Sequence, residues 1–169
     1  MSLTVNTAFA DTWKQEVLEG IHLFKASAGS TFKLLLLKAA AAGAGTYGTN
    51  TTNVGTPGSS SPTNSNVGTD EAADTSGNGQ YTSGGFTMTP NANPGLDTST
   101  HIAYISWSTN PNWGPSATII SRGAVLYNSS AGGNVVAAFN FGSDIASTLG
   151  TFTVVLPTNN SSSAIIRLT

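Results

Sequence analysis

ATIISRGAVLYNSSAGGNVVAAFNF, residues 117–141, holds the pattern that decides the fold. Apolar and β-branched residues alternate with small or polar ones through Ala117–Ile120, Ala124–Tyr127 and Val135–Phe141. That period of two is the mark of a half-buried strand. The break at Asn128–Gly133 is rich in the residues that make turns. The same reading extends outward to 80–82, 85–89, 101–107, 151–156 and 164–168, each a short strand. Residues 90–95, 110–115 and 157–163 read as turns. No stretch alternates strand with helix, so the sequence predicts antiparallel sheets packed as a β-sandwich, jelly-roll-like.

Before residue 80 the pattern differs. Residues 7–24 are predicted to form one N-terminal helix: Asn6 or Thr7 suits its cap, Asp11 its first turn and Gly20 its exit. Phe9, Trp13, Val17 (or Glu16) and Leu18 fall on one stripe, which packs on the chain's own core or docks on a neighbouring subunit. Thr31–Lys38 reads as a buried strand. Residues 43–68 are low in complexity, with Tyr47 and Val54 the only sizeable apolar groups. Such a segment buries too little to offset roughly 1–2 kcal/mol of backbone ordering per residue. It reads as an extended loop or arm, mobile alone and held by a partner. On this reading one domain spans 1–169, and removing 48–66 leaves the melting of the free fold almost unchanged.

Charged residues are only 8% of the chain, against about a quarter in an ordinary soluble domain. Net charge is −2, and the six Lys and Arg are scattered, which argues against a nucleic-acid partner. No apolar run approaches the roughly 20 residues of a membrane span, and no basic segment marks a secretory leader. The surface is expected to be hydroxyls and amides, which are buried against a partner more cheaply than charges.

Chemistry finds little purchase. There is no Cys, no Gly-x-Ser-x-Gly turn and no phosphate loop. His22 and His101 lack ligand spacing and read as structural. Asp70-Glu71 with Asp74 is the densest acidic cluster. It reads as a short solvated helix capped by Thr69 or Asp70, or as oxygen ligands for calcium without the fixed Gly and closing Glu of a calcium loop. Arg122 is expected to pair with Asp144 or with backbone carbonyls. Trp107 and Trp113 suit core, protein contact or stacking on a sugar. No catalytic, cofactor or metal site is assigned, and the chain is read as non-enzymatic. Phe9, Trp13, Tyr47, Val54 and Trp113 are the candidate contact residues.

The order of several segments resembles a group of small tailed-bacteriophage virion proteins. Phe9–His22 resembles their opening helix ending in Gly-x-His, and Thr31–Leu36 their next strand. Gly77–Gly85 resembles a Gly-x-Gly-Tyr-Thr-x-Gly-Gly turn, one residue longer here. Ala117–Asn128, Phe139–Asp144, Gly150–Val154 and Ala164–Leu168 follow in the family's order, with 43–68 standing as an insertion. The resemblance implies a capsid cement or decoration protein, made in the bacterial cytoplasm. It would bind the major capsid protein on the outer surface of the virion as a homo-oligomer, trimer or dimer. A tail or head-fibre component, or a glycan- or receptor-binding module, is the alternative.

Overall fold

The computed structural model describes residues 2–89 and 93–169. The chain is mainly β, with one helix and antiparallel sheets in an arrangement consistent with a β-sandwich. In chain order the strands are β1 (Thr4–Val5), β2 (Ala8–Phe9), then helix α1 (Asp11–Leu18), β3 (Phe32–Leu37), β4 (Thr46–Tyr47), β5 (Phe86–Met88), β6 (Gly95–Asp97), β7 (Ile102–Ile105), β8 (Asn112–Asn128), β9 (Asn134–Thr153) and β10 (Ile166–Leu168). A five-stranded sheet runs β2-β9-β8-β3-β5 and a three-stranded sheet runs β10-β7-β6. A small parallel pair, β1-β4, completes the set.

The central hairpin is larger than its pieces suggest. Residues 117–120 and 124–127, read above as two strands, form one strand that also takes in Trp113 from the expected 110–115 turn. Likewise 135–141 and 151–153 belong to one strand of 20 residues. Register shifts absorb the irregular positions: Pro115, which has no N–H to give a ladder, falls in the shift between Trp113 and Ala117. The excess residues 141–144 fall between Gly123↔Asn140 and Ser121↔Ile145. Beyond that point β8 and β9 continue as a two-stranded ribbon.

The five-stranded sheet is covered on both faces. Pairing places Phe32, Leu34, Met88, Ala124, Leu126 and Phe139 on one face. There Phe32 meets Trp107 edge-on at 5.6 Å, and Ile105 and Ile166 of the three-stranded sheet join the same core. The opposite face carries Leu35, Leu37, Val125 and Ala138. Val5 closes over Gly123, where a Cβ would strike Val5 and the Phe139 carbonyl, so only glycine lets this layer settle.

The expected arm is part of this fold. Tyr47, Val54, Val67 and Thr51 are all buried. The Val54 and Val135 N–H groups donate to the Gly133 and Thr52 carbonyls, so residues 52–54 run along the start of β9. The missing apolar area was not needed, because backbone and side-chain hydrogen bonds tie the segment to the sheet. Residues 80–82, expected as a strand, are irregular, and the helix is shorter than 7–24 because β2 takes its first residues. Removing 48–66 strips a layer from the core. We therefore expect that deletion to lower Tm by about 10 °C or more, or to abolish cooperative melting. An unchanged calorimetric transition would contradict this.

Candidate functional site

The acidic cluster is the internal anchor of the fold. A 3-10 turn at Gly68–Asp70 delivers two adjacent carboxylates, both buried, to different loops. Asp70 accepts from the Ala44 N–H at 3.0 Å, the Gly45 N–H at 2.8 Å and the Tyr47 hydroxyl at 2.7 Å. Glu71 accepts from the Gly84 N–H at 2.6 Å, the Ser83 hydroxyl at 2.7 Å and the Tyr81 hydroxyl at 3.0 Å. Tyr81 in turn accepts from the Leu36 N–H. Burial raises the Glu71 carboxyl above its usual range, and burial beside Asp70 pushes the Tyr47 phenol far up. The expected solvated helix is thus corrected: these carboxylates face inward, where three donors each offset the loss of water.

Asp74 is spent in the same way, accepting from the N–H groups of Ser76, Gln80 and Thr118. Asp97 accepts from the Ser161 and Ser99 hydroxyls. Hydrogen bonds, from Ser76 first at Asp74 and from Ser161 first at Asp97, hold both carboxyls well below the usual range. Among the described residues no three metal-ligating side chains gather. His22 is buried, with Nε2 2.7 Å from Glu16 Oε2 and Nδ1 3.2 Å from the Asn128 amide. Asn134 donates to the other Glu16 oxygen, so this group fastens α1 to the end of the β8-β9 hairpin. Arg122 lies 3.9 Å from Asp144 in a half-exposed pair, looser than a buried register lock.

The candidate contact residues are placed otherwise than the sequence suggests. Tyr47 and Val54 are buried within the chain. Trp113 is buried, stacked on Tyr81 at 5.5 Å and edge-on to Phe152 and Phe86. Trp13 is buried under Phe9, which stacks on it at 4.6 Å and is itself half-buried. Only Phe9 of the five keeps much surface. Trp107 is also buried, so neither bracketing tryptophan offers a face to a sugar ring.

Other residues are exposed instead. Leu18, expected on the inward stripe of the helix, is 89% exposed. Beside it Val17 lines a small apolar cleft with Trp13, Phe24, Ala103 and Leu168. Leu168 and Leu96 flank Ala103 across the three-stranded sheet, and both are exposed. The indole N–H of Trp13 finds no acceptor among the described residues. A second exposed set comprises Ile120, Ile145 and Leu149 on the ribbon and Val155 just past the end of β9. Ile145–Gly150 lacks a period-two pattern because of the bulge at Thr148–Leu149, so the sequence placed the start of a strand only at 151. No helix among the described residues is long and apolar enough to cross a membrane. No protein-family model, curated protein or solved structure matches the chain.

Two tests follow from the carboxylates. Tyr47→Phe removes a buried donor from Asp70 and should cost about 1–3 kcal/mol, a fall in Tm of about 2–10 °C. A melting curve identical to wild type would contradict the anchor. Asp74 has a folded pKa below the unfolded value near 3.9, so its contribution is complete above that value and is lost as pH falls through the folded one. Glu71 works in the opposite sense, its raised pKa favouring the fold as pH falls. Asp74→Asn should therefore be less stable than wild type near neutrality, with the gap closing toward about pH 2. Urea denaturation across that range showing a constant gap would count against it.

Proposed function

We propose that this chain is a non-enzymatic virion structural protein of the capsid cement or decoration type, which binds the shell of major capsid protein and stabilises the head. The observation that carries this reading is the division of labour between groups. The buried and half-buried carboxylates hold loops to the sheet through hydrogen bonds, while large apolar side chains stand exposed, on the uncharged β8-β9 ribbon and beside the few charged residues of α1 and the three-stranded sheet. Asp70 and Glu71 are buried, and the oxygens of Asp70, Glu71 and Asp74 accept from donors within the chain, which supports a holding role for them. His22 meets a single carboxylate, Glu16, with its ring sealed from solvent.

A surface of this kind suits broad, weak contacts repeated over a lattice, where many copies turn modest affinity into retention. The end of the molecule formed by α1 and the three-stranded sheet is the face proposed to meet the shell. Leu18, Leu96 and Leu168 supply its apolar centre, and Phe9 borders it through Trp13. The burial of Trp107 and Trp113 tells against the glycan-binding alternative, which depends on an exposed aromatic face.

The test is co-sedimentation with emptied phage heads, followed by heat challenge of the heads. Wild-type protein should pellet with the heads and raise their disruption temperature. Leu18→Lys, which suits a helix C-terminus, should keep the melting of the free protein and weaken head binding by about tenfold. Absence of binding to heads, with retention on tails or on a glycan surface, would contradict the assignment.

A further inference from the structure

The outer edge of β9 is covered for only part of its length. β2 pairs with Ala137 and Ala138, Thr7 accepts from the Asn140 N–H, and residues 52–54 flank the first residues of the strand. From Ile145 to Thr153 no other segment among the described residues pairs with that edge. An open row of backbone donors and acceptors is usually guarded by Lys, Pro, a β-bulge or a covering loop, and of these the edge has only the bulge at Thr148–Leu149. Here Ile145–Ile166 carries no charge at all, and Ile145–Thr153 contains no Pro.

Leu149 adds an independent observation. It sits at φ 47°, in the left-handed region that a branched apolar residue enters at a cost of about 1 kcal/mol. Thr148 and Leu149 bulge opposite Thr118, whose hydroxyl accepts from the Leu149 N–H. The side chain held in this way is 65% exposed. That hydrogen bond offsets part of the strain, but no packing among the described residues offsets the exposure. Phe141, Ile145, Phe152 and Val155, on the ribbon and at its two ends, line an open apolar cleft of about 270 Å³. Knob and cleft therefore both belong to the stretch 141–155 that carries the open edge.

We propose that a second copy of this chain pairs with β9 along Ile145–Thr153, antiparallel and about a two-fold axis. The two five-stranded sheets would join edge to edge, and Leu149 of each copy would enter the apolar cleft of the other. A second copy is the occupant because the edge calls for an extended strand, and β9 is itself one. A two-fold interface also requires a surface that complements itself, and this one carries knob and cleft together. With no charge in the segment, antiparallel pairing sets no like charges opposite each other. The inference does not rest on the virion reading and concerns the other exposed set of side chains.

Light scattering over a concentration series should show a dimer. Leu149→Asn keeps a residue that accepts the left-handed backbone but removes the apolar knob. It should raise the dimer dissociation constant by about tenfold or more while leaving the melting of the monomer equal or higher. The chain has no cysteine, so introduced thiols report on copy-to-copy contact alone. About an axis at Leu149, residue 147 of one copy faces 151 of the other, so oxidation of the double variant Ser147→Cys/Thr151→Cys should give covalent dimer, and Thr98→Cys, on an exposed turn elsewhere, should not. A protein that stays monomeric at every concentration, a dimer unaffected by Leu149→Asn, or equal cross-linking at Thr98→Cys would overturn the proposal. Pairing of this edge with capsid protein in place of a second copy would also overturn it.

Discussion

The structure depends on one buried carboxylate. Asp70 sits beside the open half of β3, where its backbone carbonyl accepts from the Lys38 N–H and extends the sheet by a residue. Its side chain then gathers Ala44, Gly45 and Tyr47, drawing in a segment that has almost no apolar content of its own. A charge in that position is tolerable only because its acceptor sites are filled, and the donors are two backbone amides and a phenol. Once the segment is fastened there, Thr51–Val54 reaches the far edge of β9, and both faces of the central sheet are closed. Glu71, the next residue, does the same for the Tyr81–Gly84 turn.

This arrangement explains how so few charges suffice. In most domains carboxylates and lysines coat the surface. Here Asp70, Glu71, Asp74 and Asp97 act as hydrogen-bond hubs for loops built from Gly, Ser, Thr and Asn. Such loops would otherwise meet the ordering cost of the chain with little return. The surface left over is neutral, with isolated leucines and isoleucines at the helix end and on the β8-β9 ribbon. On such a surface few charged groups lose their hydration on contact, which favours wide adhesion over steering at long range.

What was legible in the sequence was where strands lie. The Ile102–Ile105 strand, the Ala117–Tyr127 region and the Val135–Phe141 region each sit in a strand, because short runs rich in apolar, β-branched and aromatic residues between turn residues mark strands; the half-buried faces expected from alternation are absent at Ala124–Asn128 and Val135–Ala138, which are buried on both faces. The join between pieces was not legible, since bulges at Thr148–Leu149 and around 141–144 break the alternation without ending the strand. The 43–68 segment was misread for a related reason. Its composition reports apolar area, whereas it is held by Asp70, Asn64 and Thr51 through specific hydrogen bonds that composition does not encode. Of the aromatic residues taken as contacts, Trp13, Tyr47 and Trp113 are buried and Phe9 half-buried, because a large ring in a sparsely apolar chain is needed inside. Trp13 and Trp113 fill the core, and smaller aliphatic residues such as Leu18 and Leu149 are left outside.

The central claim is that buried carboxylates fold the low-complexity segment into the core of the free protein. Native-state hydrogen exchange tests it most directly. The amides of Ala44, Gly45 and Val54 should exchange as slowly as those of β3, through global unfolding. Exchange of these amides at the rate of an unstructured chain, while β3 remains protected, would contradict the account.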